Sequence, residues 1–158
     1  MPAPDLVIKA VPLDHPDAAL LIDEVQQVYV GLYGGHDSAR TAPDEFAPPH
    51  GAFLVGYAAG EPVACGGWRE HPETAPADAE LKRMYVTPRA RGCGYARAIL
   101  AELERTASAA GRTRMVLETG TKQPEAMTLY ESAGYRPMPN FSIHAHSPTS
   151  RCLGKELD

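Results

Sequence analysis

Residues 80–96, ELKRMYVTPRARGCGYA, join a strand candidate to a long helix through a loop with glycines at 92 and 94. That junction limits the chain to folds in which a strand feeds a helix packed on a sheet. From Gly92 to Ala110 the pattern is helical: Ala96, Leu100, Leu103 and Ala107 share a face, Ile99 and Ala110 lie beside it, and Gly111 is a stop.

The other elements read outward from there. Leu6–Val11 is a short apolar strand. Asp14-His15-Pro16 starts a helix with proline at its first position, Leu21, Val25, Val28 and Leu32 form its buried stripe, and Gly34-Gly35 ends it. Residues 36–50 are polar and proline-rich and read as a loop with one helical turn near Asp44-Glu45-Phe46. Phe53, Val55 and Tyr57 alternate as in a strand with one buried face, and Ala59-Gly60 turns the chain into a returning strand over Val63–Trp68. Arg114–Glu118 is a buried strand. Gln123-Pro124-Glu125 opens a second helix with Ala126, Leu129, Tyr130 and Ala133 inward, and Gly134 stops it. The order, strands first and then β-loop-α-β-α-β, predicts an α/β single domain over 1–158 with a mixed sheet.

Composition excludes several classes of function. With 15 basic and 20 acidic residues the net charge is −5, which argues against nucleic acid as the main partner. No apolar run reaches the roughly 18 residues of a membrane span, and MPAPDLVIKAV is not built as a secretory signal. Cys65, Cys93 and Cys152 are odd in number and far apart, without metal-ligand spacing, so neither a disulfide framework nor a metal site is expected and a cytoplasmic location fits best. His144 and His146 lack a third ligand and read as surface residues.

The loop itself suggests an anion site. The first amides of a helix have no internal acceptor, and with the helix dipole they hold phosphate well. Gly92 and Gly94 allow close approach, while Arg89 and Arg91 supply local positive charge that the whole chain lacks. A chance Gly-x-Gly that only breaks the chain before a helix is the plain alternative. A dinucleotide fingerprint would need a small residue where Arg97 stands, and a P-loop would need Gly-Lys-Ser/Thr.

Arg89-Ala90-Arg91-Gly92-Cys93-Gly94 resembles the Arg/Gln-x-x-Gly-x-Gly/Ala loop of the GNAT superfamily of N-acetyltransferases. Ala126–Tyr135 (AMTLYESAGY) is similar to the same superfamily's Ala-x-x-Leu-Tyr-x-x-x-Gly-Phe helix, and the resemblance covers about residues 51–157. It implies a mixed, splayed seven-strand sheet flanked by about four helices, with acetyl-CoA held between two parting strands. Met84, Tyr85 and Val86 would pair with the pantetheine arm, the amides of Arg91, Gly92, Cys93, Gly94, Tyr95 and Ala96 would hold the pyrophosphate, and Arg89 belongs to the same signature. Gln123 stands where many members carry asparagine, which puts its pantetheine contact in doubt.

The implied reaction sets its own demands. An alkylammonium with a pKa near 10 costs about 4 kcal/mol to neutralise at pH 7, so a carboxylate must take its proton. Glu80 matches the family position for that base; Glu118 and then His71 follow, and a solvated carboxylate paired with Lys82 or Arg83 is the plain reading of Glu80. Tyr130 is the family-matched acid for the leaving thiolate, against a plain reading as a core aromatic. An acyl-enzyme on Cys93 is not expected, because in this family its slot faces the phosphates. Tyr33, Trp68 and Glu118 are candidate acceptor-site residues, with Tyr29, His36, Asp37 and Arg40 as further lining. The acceptor is then a small-molecule primary amine, with no nucleic acid or membrane partner and a homodimer left open. A non-catalytic acyl-CoA sensor and a transferase acting on a protein N-terminus or lysine are the competing readings.

Overall fold

The computed structural model describes residues 4–35, 37, 41–141 and 147–158. Along the chain run β1 (Leu6–Ala10), α1 (Pro16–Tyr33), β2 (Gly51–Ala58), β3 (Glu61–Glu70), β4 (Asp78–Val86), α2 (Tyr95–Ala109), β5 (Arg114–Gly120), α3 (Pro124–Ser132), β6 (Arg136–Met138) and β7 (Ser150–Glu156). The strands form one mixed sheet in the order β1-β2-β3-β4-β5-β7-β6, in which only β4 and β5 are parallel.

The helix ends follow local chemistry. Pro16 occupies the first turn of α1, the His15 ring accepts the Asp17 amide at 3.0 Å, and Gly34 closes the helix in the left-handed region at φ 80°. Among the described residues three α-helices flank the sheet, where the resemblance implied about four. Between α1 and β2 the described chain makes only a four-residue 3-10 turn, Pro43–Phe46. Pro48 and Pro49, which cannot donate to a helical ladder, follow after Ala47.

A second expectation also needs correction. β2 is buried on both faces, not one: Phe53 and Val55 pack with Leu21 and Cys65 under α1, while Ala52 and Leu54 pack with Leu103 and Trp68 under α2. A central strand between two helical layers has no solvent face, so its alternation sorts one core from the other. In α2 the buried residue of the first turn is Tyr95, whose hydroxyl donates to the Pro4 carbonyl at 2.5 Å, whereas Ala96 is half-buried.

The pairing of β4 with β5 is the feature that shapes the site. It covers only Asp78–Arg114, Ala79–Met115 and Glu80–Val116, after which the strands part. At the closed end Arg114 donates to Asp78 at 3.0, 3.1 and 2.6 Å. Burial of Asp78 opposes its ionisation, but the Arg114 and Thr74 hydrogen bonds outweigh that and hold its pKa below the usual range. At the open end the β3–β4 register breaks between Cys65 and Gly67, and Arg83 takes a left-handed φ of 61°. This is a β-bulge, and it bends β4 away. On its other edge β5 pairs with β7 through all seven of its residues.

Asp78→Asn should therefore loosen the closed end, lowering stability by about 2 kcal/mol at pH 7 through loss of a mostly buried ion pair. A depressed carboxylate pKa stabilises above the unfolded value and loses its effect as pH falls through the folded value. Urea unfolding of both proteins between pH 7 and 3 should show the gap closing in acid; a gap independent of pH would contradict this account.

Candidate active site

A cavity of about 460 Å³ fills the split between β4 and β5. Glu80, Lys82, Arg83 and Met84 line it from β4, and Leu117, Glu118, Thr119 and Gly120 from β5. Tyr29 and Tyr33 reach in from α1, Gln123, Ala126 and Tyr130 from the start and body of α3, and Ser150 from β7.

Two carboxylates stand at this opening. Glu80, at the last paired position, is 7% exposed and accepts from Arg69 Nε through Oε1 at 3.0 Å. Arg69 also reaches Glu45 at 3.3 Å. The plain expectation for Glu80, a pair with Lys82 or Arg83, is thus not what forms. Glu118 lies two residues past the branch point and accepts the Ser150 hydroxyl through Oε2 at 2.6 Å. Among the described residues, the second oxygen of each carboxylate takes no hydrogen bond.

Lys82 and Arg83 turn to Asp37 instead. Lys82 Nζ and Arg83 Nη1 both donate to Asp37 Oδ2, at 2.8 and 2.5 Å. The side chains of Lys82 and Arg83 are only 10% and 3% exposed, so both cations are held away from bulk water.

Tyr130 is buried at 6% exposure, T-stacked on Tyr135 at 5.7 Å, and its hydroxyl has no hydrogen-bond partner among the described residues. Burial, with the nearby Tyr29 phenol adding to it, pushes its pKa well above the usual value of about 10. Burial likewise pushes Tyr29 up to about 12, against the pull of the Arg83 guanidinium. Both phenols stay protonated near neutrality.

Tyr33 closes one side. Its hydroxyl donates to Gln123 Oε1 at 3.3 Å, and its ring lies under Lys122 Nζ, which donates to the Leu32 carbonyl at 2.9 Å. The Tyr33 hydroxyl occupies the space that a side chain at residue 120 would need, so Gly120 permits this closure.

The glycine loop lies next to the cavity but outside its lining. After β4, a 3-10 turn over Pro88–Ala90 leads to Arg91, Gly92, Cys93 and Gly94, all exposed, with Gly92 and Gly94 left-handed at φ 78° and 81°. Gly94 caps α2, and nothing lies within 4 Å of where a β-carbon would stand at either glycine. Arg91 Nε donates to the Val86 carbonyl at 3.1 Å and its guanidinium rests 5.9 Å from the Tyr85 ring centre; Arg89 pairs with Glu61 at 3.1 Å. The Cys93 thiol donates to the Arg91 carbonyl at 3.8 Å.

Trp68 is a correction: it is 1% exposed and does not line the cavity, and its indole donates to Thr106 Oγ1 at 2.9 Å in the core beneath α2. His71, the third candidate base, bonds Thr74 Oγ1 at 2.9 Å and lies outside the cavity lining. His36, Arg40, His144 and His146 fall outside the described residues. Arg69 and Ser150, which orient the two carboxylates, escaped sequence reasoning because their partners lie 11 and 32 residues away with no local pattern between them. Among the described residues no group of three or more His, Cys, Asp or Glu side chains is arranged to hold a metal ion.

A model of the Acetyltransferase (GNAT) family matches residues 20–135. The chain belongs to this family. As a GNAT protein it is an acyltransferase, and it is 32% identical over 137 residues to a protein named IAA acetyltransferase from Azospirillum brasilense, covering 87% of this chain and 88% of that one. A Klebsiella pneumoniae structure, provisionally assigned as an acyl-CoA N-acyltransferase, superposes with a TM-score of 0.80 at 25% identity over 97% and 98% of the two chains. The Thermoplasma acidophilum PaiA N-acetyltransferase, solved in complex with coenzyme A, shares the fold with a TM-score of 0.71 at 13% identity over 96% and 99%.

The phenols of this GNAT enzyme carry a stability signature. A phenol whose folded pKa is raised stabilises fully below the unfolded value near 10 and loses its contribution as pH rises toward the folded value, about 12 for Tyr29. Urea unfolding between pH 9 and 12 should show stability falling with pH, and Tyr29→Phe should reduce that slope by about 1.4 kcal/mol per pH unit. Equal slopes in the two proteins would contradict the burial assigned to Tyr29.

Proposed function

We propose that this GNAT enzyme moves an acetyl group from acetyl-CoA to the primary amine of a small molecule by direct attack. The observation that carries the reading is the end of β4–β5 pairing at Glu80 and Val116, where a cavity opens with two carboxylates and an unpartnered phenol on its walls. Its volume of about 460 Å³ lies within the usual few-hundred-Å³ range of small-molecule sites.

The residues present fit acetyl-CoA. Left-handed Gly92 and Gly94, with open space outside them, leave the amides of Gly92–Ala96 to receive a pyrophosphate at the start of α2, whereas the Arg91 amide is taken by the Pro88 carbonyl at 3.4 Å; the Arg89 and Arg91 side chains add charge there. Tyr85 and Val86 pair with β3 on one edge, but toward β5 the run Met84, Tyr85 and Val86 is unpaired and offers that edge to an extended pantetheine arm. Gln123, already engaged by Tyr33, borders the same channel. The Arg83 bulge supports an oxyanion site at the neighbouring amides of β4.

Acetyl-CoA supplies an electrophilic thioester carbon and a thiol leaving group. Glu80, anchored by Arg69 through one oxygen, takes a proton from the amine with the other, directly or through water. The amine nitrogen bonds to the acyl carbon as the C–S bond breaks. Tyr130 donates its phenolic proton to the departing sulfur, and its raised pKa keeps that proton available throughout the neutral range.

Thiol release from acetyl-CoA should rise above background when a panel of small amines is added. Glu80→Gln and Tyr130→Phe should each lower kcat/KM by roughly 100-fold or more while cofactor binding persists. Binding without amine-dependent release would identify an acyl-CoA sensor. Activity confined to protein N-termini or lysines would replace the small-molecule acceptor.

A further inference from the structure

The charges around the cavity are paired unevenly. Glu80 is paired with Arg69, which also reaches the exposed Glu45. Lys82 and Arg83 share one carboxylate oxygen of Asp37, two cations on a single acid among the described residues, which leaves positive charge in excess there. Glu118 has no cationic partner among the described residues; its one anchor is the neutral Ser150 hydroxyl. Buried charge left without a counter-charge is costly, so such an arrangement points to a ligand that completes it.

The two unbalanced places line the same cavity. If the parallel register Glu80–Val116 is carried two residues further, Lys82 falls opposite Glu118, yet the strands have parted and no ion pair joins them. Neutralising both at once takes a ligand with an anion at one end and an ammonium at the other. A single positive or negative ligand would leave one of the two charges without a counter-charge.

We propose that the acceptor is a carboxylate-bearing amine of the amino-acid class, its carboxylate held by Lys82 and Arg83 and its ammonium by Glu118. This rests on the reading of the cavity as the acceptor site of an amine acetyltransferase. It assigns the acceptor's charge pattern, and Glu118 is then an ammonium-binding residue, with Glu80 left as the base.

The test compares, under identical acetyl-CoA, free amino acids with their α-amides, their decarboxylated amines and an aminoalkyl phosphate. The free acids should be acetylated with kcat/KM roughly 10- to 100-fold above the amides and amines, the worth of one or two charge-assisted hydrogen bonds. Lys82→Met should raise KM for the acids and pull the acid-to-amide ratio toward one. A merely structural role for Lys82 would depress acids and amides alike and keep the ratio. Glu118→Gln should raise KM for the acids, and rescue by Glu118→Asp would mark the negative charge as the feature that matters.

Amides or decarboxylated amines serving as well as the acids, a preference for the phosphate, or an unaltered ratio in Lys82→Met would each overturn the proposal while leaving the enzyme an amine acetyltransferase. If no amine of the panel is acetylated, both this inference and the reading beneath it fall.

Discussion

Everything in the site depends on two parallel strands that pair for three residues and then separate. The separation is held at both ends by ionic contacts that do different work. At the closed end the Arg114–Asp78 pair ties β5 to β4 with three hydrogen bonds. At the open end the left-handed Arg83 bends β4, its side chain held by Asp37 and its carbonyl by the Cys65 thiol at 3.2 Å. A non-glycine residue in that conformation costs on the order of 1–2 kcal/mol. These two contacts offset the strain, and a parallel sheet that would otherwise zip closed keeps a polar slot through its middle.

The slot concentrates groups that a stability-driven core would exclude. Lys82, Arg83, Glu80, Tyr29 and Tyr130 are all buried or nearly so, and both phenols lack hydrogen-bond partners among the described residues. Elsewhere the interior is conventionally apolar, with Ile99, Leu100, Leu103, Met115 and Leu117 packed beneath α2 and α3. Local rules broken in one place and kept in the rest are the pattern expected of a functional site.

Much of this was legible in the residues because the relevant signals are local. Gly92 and Gly94 announce positive φ, Pro16 and Gly34 bracket α1, and the apolar spacing of α2 marks its buried face. The Ala126–Tyr135 motif placed Tyr130 on a helix that faces the cavity. What escaped depends on distance along the chain. Trp68 reads equally as a site aromatic or a core one until Thr106, 38 residues away, takes its indole proton. The partners of Glu80 and Glu118 are likewise set by tertiary packing. The single helical turn at Pro43–Phe46 was legible from the proline-rich sequence around it, whereas the resemblance, which implied about four helices, gave no place for a fourth.

The central claim is that the loop at the start of α2 and the edge of β4 left open toward β5 together hold the donor beside the cavity. Amide hydrogen exchange with and without acetyl-CoA, read at single-residue resolution, tests it most directly. The account predicts protection concentrated at Gly92–Ala96 and Met84–Val86, with little change in β1 and β2. Protection absent from those two segments, or appearing only at the β6–β7 edge of the sheet, would contradict it.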